Sequence, residues 1–458
     1  MATSVPARID DLPGLQAQRR TLFVLVAAQA LSGAGLVAGV TVGALLAQDM
    51  LSSTSLAGLP SALGTAGSVL AAVTVGRISQ ARGRRPGLVA GYLTGAIGSV
   101  GVIAAAVADN TILLFVALFV YGAGTSTNLQ ARYAGADLAG PEHRARAVST
   151  VLVATTLGGV VGPNLTAPTS DLAHAIGIPH LAGPFLLAST AYALAAVVLA
   201  IWLHPDPLLL ARKLEAERIA AQPDHADGLP RHPVERRSSG VLVGVMVMVL
   251  TQFVMVAIMT MTPVHMHDHG HSTAVGGLVI AVHIGAMYLP SPLTGWLVDR
   301  YGPFIIAAAS GLTLLGAGIV AACASGNSVA LLTAALTLLG LGWNFGLVAG
   351  TAIITDAVPL VARAKTQGLV DVTIAIAGAT GGMASGLVVA AAGYPGLAIG
   401  SGILALTIVP AVAAAARKSL PGWAMFQAAH GTDSARPAVA DPHTAVSRTS
   451  KTEGDCTE

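Results

Sequence analysis

Four side chains with soft or borderline donor atoms recur at helical spacing in one apolar stretch. Met255 and Met259 form an M-x-x-x-M, and His283 and Met287 an H-x-x-x-M. A separation of four puts each pair on one helix face, about one turn apart. Thioether sulfur with imidazole nitrogen is the donor set that monovalent copper prefers, whereas zinc, iron or manganese sites draw on carboxylates or thiolates, which these faces lack. Between the pairs runs Val264-His-Met-His-Asp-His-Gly-His271. With Met261 just before it, this run offers Met261, His265, Met266, His267, His269 and His271 as a candidate outer capture site, because histidine-rich tracts are compositional metal binders. Met246, Met248, Met255, Met259, Met261, Met266 and Met287 are seven of the eleven methionines, so the clustering is not compositional drift. Each feature has an ordinary counterpart. The methionines could be apolar packing, His283 a hydrogen-bonded neutral imidazole or a proton-coupling group, and the histidine run a solvated turn. Of the four inner residues only His283 can link metal binding to protons, since protonated imidazole cannot hold a metal.

The elements that must carry these residues are membrane helices. With 54% hydrophobic and 10% charged residues and a mean hydropathy of +0.72, the chain is far too apolar for a soluble protein of 458 residues. An apolar run of about 20 residues crosses about 30 Å of hydrocarbon as a helix. Such runs are expected at about 21–47, 55–75, 87–108, 111–136, 147–168 and 180–203, and again at 240–263, 274–294, 303–324, 328–356, 366–391 and 395–416. The predicted class is an all-α membrane protein of twelve transmembrane helices in two six-helix halves. The division runs as a polar N-terminus 1–20, a first half 21–203, a charged linker 204–239, a second half 240–416, and a disordered tail 417–458 rich in Ser, Thr, Asp, Pro and His. No cleavable leader is expected, because the first apolar run is long enough to span. Cys323 and Cys456 supply neither a disulfide framework nor a thiolate site.

Lysine and arginine set the orientation. With a cytoplasmic N-terminus, Arg77 to Arg85, Arg144, Arg146, the linker, Arg300, Arg363, Lys365 and the tail all fall on the cytoplasmic side, and the outer loops carry none. The expected location is the inner (cytoplasmic) membrane, with both termini cytoplasmic. Counted from span ends at 263 and 274, Met255 lies about 12 Å deep and His283 about 14 Å. On that count they meet across the seam between spans seven and eight. Arg132, Asp137, Asp356 and Asp371 fall within about two turns of the inner ends, where a charge costs little.

The halves repeat. Gly76-Arg-Ile-Ser-Gln-Ala-Arg-Gly83-Arg-Arg-Pro86 is echoed by Gly295-Trp-Leu-Val-Asp-Arg-Tyr-Gly302-Pro303, and Asp137 with Arg144-Ala-Arg146 by Asp356 with Arg363-Ala-Lys365. Parallel repeats of six spans mark one transporter architecture. Over residues 20–416 the chain resembles the major facilitator superfamily, whose loop motif is G-x-L-x-D-R-x-G-R-[RK]. The resemblance implies a latch between the halves at Gly76, Arg77, Gly83 and Arg84 and at Gly295, Asp299, Arg300 and Gly302. The first copy departs from the motif with Gln80 in the acid's place, which implies a weaker latch there. Gly158-Gly-Val-Val-Gly-Pro163 has the Gly-Pro step of drug antiporters without the glycines that follow it in them.

Within the superfamily, the M-x-x-x-M in span seven and H-x-x-x-M in span eight resemble the CcoA-type copper importers. That resemblance implies Met255, Met259, His283 and Met287 as copper ligands, inward transport, and copper chaperone or oxidase assembly factors downstream. A neighbouring branch carries riboflavin. Copper is then cargo, no cofactor is expected, and the other contact is membrane lipid, with no nucleic acid. The alternative is a proton-coupled exporter of drugs or small organic metabolites, with Gln29, Asn128, Gln130, Trp343 and Asn344 lining a polar-aromatic cavity. A metal sensor lacks a sizeable signalling domain. An enzyme lacks a nucleophile and base pair, a phosphate loop or an acidic metal cluster.

Overall fold

The computed structural model describes residues 12–41, 46, 50, 59–221 and 234–419, and these are helical with short connections. The expected disorder beyond 419 and part of the linker lie outside them. The first half contains α1 (Leu12–Thr41), α2 (Leu59–Arg82), α3 (Arg84–Val107), α4 (Thr111–Ala136), α5 (Arg144–Ala175) and α6 (Gly183–Trp202). A linker helix α7 (Pro207–Ala220) follows, started by Asp206, whose carboxylate accepts from the Leu208 and Leu209 amides. The second half contains α8 (Val234–Asp268), α9 (Thr273–Tyr288), α10 (Ser291–Tyr301), α11 (Pro303–Cys323), α12 (Val329–Ala357), α13 (Arg363–Leu406) and α14 (Ile408–Ser419). Gly393, at φ 71°, breaks α13 just before Pro395, where the eleventh and twelfth spans were expected to part. Among the described residues, nine helical segments are long and apolar enough to cross a bilayer.

Buried apolar side chains gather in two clusters. One is built from residues between Val24 and Leu203, the other chiefly from residues between Val247 and Val412, joined by Ala136, Ala145, Val148 and Leu152 of the first half. The repeated glycines have matching roles. A Cβ on Gly76 would stand 3.1 Å from the Ala364 carbonyl and the Gly368 Cα, and one on Gly295 would stand 2.8 Å from the Ala145 carbonyl. Close backbone approach between helices of opposite halves therefore requires glycine at both. Gly83 and Gly302, at φ 100° and 90°, form the turns into α3 and α11.

Three boundaries differ from the sequence expectation. The histidine run is mostly helix rather than loop, because α8 continues through Pro263 to Asp268. Its stop is Gly270 at φ 81°, with the His271 amide on the Met266 carbonyl at 3.1 Å and the Gly270 amide on the His267 carbonyl at 2.9 Å. Span eight is interrupted at Leu289–Pro290 and extends to Tyr301. Finally, the charged linker, for which no element was expected, starts with a helix capped by Asp206.

Candidate functional site

His283 sits on α9 with no exposed surface, and its Nδ1 is 2.7 Å from the Leu336 carbonyl oxygen of α12. A carbonyl only accepts, so Nδ1 carries the proton and donates it. Nε2 is left as a lone pair. That nitrogen is buried with no hydrogen-bond partner. Gly340 explains how the ring reaches this carbonyl. A Cβ there would lie 2.7 Å from the His283 carbonyl and 3.1 Å from the Met287 amide, so α9 and α12 run backbone to backbone. Below the ring, Asn344 pins the interruption of span eight: its Nδ2 donates to the Met287 carbonyl and to Ser291 Oγ, both at 2.7 Å, and its Oδ1 accepts from Thr294 Oγ1 at 2.5 Å. Pro290 has no N–H for the helix ladder, and Asn344 holds the adjoining backbone in its place.

Met255 and Met287 are buried in the second-half cluster and Met259 packs against it. The longer α8 changes the expected levels. At 1.5 Å per residue, Met259 lies roughly 14 Å and Met255 roughly 20 Å from Asp268, while His283 lies roughly 15 Å and Met287 roughly 21 Å from Thr273. On that count Met259 falls nearer the depth of His283 than Met255 does, and Met255 nearer that of Met287. Among the described residues no group of three or more His, Cys, Asp or Glu is placed to hold a metal.

The outer six do not form one cluster. His265 stacks on Tyr394, with centroids 4.3 Å apart and planes 9° apart, and lies 4.4 Å from the His269 ring. His269 Nδ1 bonds the His265 carbonyl at 2.8 Å, which leaves its Nε2 free as an acceptor. His271 is engaged by the Gly326 carbonyl at 2.9 Å, His267 is exposed, Met266 is buried in the core and Met261 packs at its edge.

The residues expected in a polar cavity are already engaged. Gln29 Nε2 donates to the Asn128 carbonyl at 3.0 Å and to Thr155 Oγ1 at 3.2 Å, and Gln29 Oε1 accepts from Tyr92 at 2.6 Å. Asn128 Nδ2 donates to Ser32 Oγ at 2.8 Å, Gln130 Nε2 to the Ala72 carbonyl at 2.9 Å, and Trp343 Nε1 to Gln252 Oε1 at 2.8 Å.

Where the halves meet, the latch is asymmetric. Asp299 accepts from the Ala145 and Arg146 amides at 3.1 Å, capping the start of α5. Gln80 takes the equivalent place at the start of α13, accepting from the Lys365 amide at 3.2 Å and donating to the Val361 carbonyl. Arg84 donates to both Asp137 oxygens, at 2.7 and 3.3 Å, and to Gln367 of α13 at 2.5 Å. Arg77 and Arg300 are exposed. Sequence reading missed the role of the inner acidic residues. Nearness to a helix end suggested solvation, yet Arg132, Asp137 and Asp371 are 0%, 5% and 4% exposed. Arg132 pairs with Asp371 across the halves at 2.8 Å, and Arg144 pairs with Asp356. The matching offsets of Asp137 and Asp356 were the available signal.

Comparison with known proteins bears on this architecture. Residues 22–322 match the family model described as Major Facilitator Superfamily. The chain is 56% identical over 394 residues to the uncharacterized MFS-type transporter YdeG of Bacillus subtilis, covering 86% of this chain and 91% of that protein. It is 31% identical over 359 residues to the riboflavin transporter RfnT of Brucella anthropi, covering 78% and 85%. The structure of the human organic anion transporter MFSD10 superposes with a TM-score of 0.69 at 16% identity, covering 86% of this chain and 99% of that one. Paired loop motifs, two apolar clusters and these matches agree: the chain is a multi-pass membrane transporter that belongs to the Major Facilitator Superfamily.

Proposed function

We propose that this transporter imports copper(I) across the inner membrane by alternating access, with the basic-loop end and both termini cytoplasmic. The observation that carries the reading is the buried, unpartnered Nε2 of His283, its ring oriented by the Leu336 carbonyl. A backbone acceptor on the far nitrogen is the usual way of presenting an imidazole to a metal. The methionines supply uncharged soft donors on the neighbouring helix turns, with Met259 at about the depth of His283 and Met255 at about that of Met287 by residue count. Monovalent copper tolerates such a low-coordinate, carboxylate-free site better than other first-row ions. His265 and His269 collect the ion at the outer end of α8, and copper chaperones or oxidase assembly factors receive it inside.

Radiocopper uptake tests the reading, in cells expressing wild type or His283→Ala at membrane levels matched by blot. Wild-type cells should accumulate copper and the variant should stay at background. Equal uptake by both would remove the site. Lower copper in wild-type cells would keep the metal and reverse the direction.

A second reading is transport of a flat organic metabolite. It is favoured by the 31% identity to a riboflavin transporter and by the Tyr288–Trp343 edge-to-face pair, 5.5 Å between centroids, beside Gln252. It predicts riboflavin uptake that survives His283→Ala and is lost with Trp343→Ala.

A further inference from the structure

Two carboxylates are buried where the halves meet, and they are held differently. Asp137, at the end of α4, faces two guanidinium groups: Arg84 donates to both its oxygens, and Arg363 Nη1 stands 3.9 Å away. Asp371, about 12 Å along α13 from Arg363, has one. Arg132 Nη2 reaches Asp371 Oδ1 at 2.8 Å, and the Tyr133 hydroxyl donates to that same oxygen at 3.1 Å. Asp371 Oδ2 is buried and has no partner.

Arg132 is better satisfied. It donates to Thr351 Oγ1 at 3.3 Å, bonds the Tyr133 hydroxyl at 2.8 Å and lies 4.2 Å from that ring's centroid. A buried carboxylate with an idle oxygen is costly to keep charged, whereas a proton on that oxygen removes the charge and turns the ion pair at the other oxygen into a weaker hydrogen bond.

The surroundings add few competitors. From α4 come Arg132 and Tyr133, from α3 Arg84, and from α9 Tyr288, which faces Arg132. From α12 Thr351 is neutral, while Asp356 is half-exposed and paired with Arg144. Asp371's own helix contributes Arg363 and Gln367. On α2, Arg77 and Arg82 are exposed, and residues 240–264 of α8 and all of α11 carry no Asp, Glu, Lys, Arg or His.

We propose that Asp371 is the proton-binding site that couples this transporter to a proton gradient. A proton on Oδ2 cancels the attraction to Arg132, and the halves part at the basic-loop end. Loss of the proton restores the pair and closes that end. The assignment does not depend on the cargo, since it rests on contacts between α4 and α13 rather than on the His283 site.

A cargo-free experiment tests it. In full-length protein in lipid nanodiscs, with Cys323 and Cys456 replaced by serine, spin labels are placed at Glu142 and Val361, which are exposed in the basic loops of opposite halves. The distance distribution is then followed from about pH 8 to about pH 5. The wild type should gain a longer-distance population as pH falls. Asp371→Asn should hold that population at every pH, and Asp356→Asn should respond as the wild type does. A wild type insensitive to pH, or an Asp371→Asn protein that keeps the wild-type response, overturns the proposal. Should Asp371→Asn fail to reach the membrane, Asp371→Glu decides. Its midpoint moves if the proton binds here, and an unmoved midpoint places the proton elsewhere.

Discussion

Two buried polar groups, one in each half, are held in different ways. In the first half, Gln29, Ser32, Tyr92 and Asn128 tie α1, α3 and α4 together, and none of their buried polar atoms lacks a partner. In the second, His283 has one nitrogen committed to α12 and the other to nothing. A satisfied network rigidifies a bundle, whereas a buried lone pair without a donor is a cost that some other requirement must justify. The contrast marks the His283 ring as the candidate site and the Gln29 network as scaffold. Hydroxyls such as Ser79, Ser149 and Thr156 are also buried without a partner, but only the imidazole nitrogen is a strong metal donor.

The sharpest way to break this comparison is at His283. His283→Ala should abolish copper uptake with the thermal unfolding midpoint of the purified protein nearly unchanged, since only one hydrogen bond, worth about 1 kcal/mol, is lost. A large drop in the midpoint would make the ring a structural element like Gln29. Next in size are the sulfurs. Met259→Leu and Met255→Leu conserve volume and should cost less than about 1.5 kcal/mol of stability. Each should still lower copper affinity about tenfold, close to 1.4 kcal/mol, in a copper(I) competition titration. Met259→Leu should depend more strongly on the presence of His283, because these two fall at about the same depth by residue count.

The opposite pattern is expected in the first half. Gln29→Ala or Asn128→Ala strands buried partners and should destabilise the fold by about 1–3 kcal/mol, read as a lower unfolding midpoint, with copper affinity of the folded fraction unchanged. The smallest effect belongs to the latch. Gln80→Asp would place a charge at the start of α13 as Asp299 does at the start of α5. It should favour the closed basic-loop end by about 0.3–1 kcal/mol, visible as slower labelling of a cysteine at position 361.

Much of this was legible in the sequence. Hydropathy showed the helices, the family resemblance carried by the repeated loop motif pointed to where helices of opposite halves touch, and the two four-residue motifs drew attention to α8 and α9. What escaped had local causes. Pro263 looked like the end of a helix, yet the helix runs to Asp268, and that shift of five residues brings Met259 rather than Met255 to about the depth of His283 by residue count. Sequence distance from a helix end stood in for exposure at Arg132 and Asp371, although the facing half covers both. Amides expected to line a cavity, Gln29, Asn128, Gln130 and Asn344, are bonded to neighbouring helices, a pairing no one-dimensional pattern records. The pairing of His265 with His269, and the bond of His271 to the Gly326 carbonyl, likewise follow from the turn at Gly270 rather than from composition.

The central claim, a soft site of imidazole and thioether, is tested most directly by X-ray absorption on purified full-length protein loaded with copper(I) under reducing, oxygen-free conditions. The account predicts a mixed shell containing sulfur and one imidazole nitrogen. In His283→Ala the nitrogen contribution should disappear, and in Met255→Leu and Met259→Leu combined the sulfur contribution should fall. A shell of nitrogen and oxygen alone, unchanged by either substitution, would contradict it.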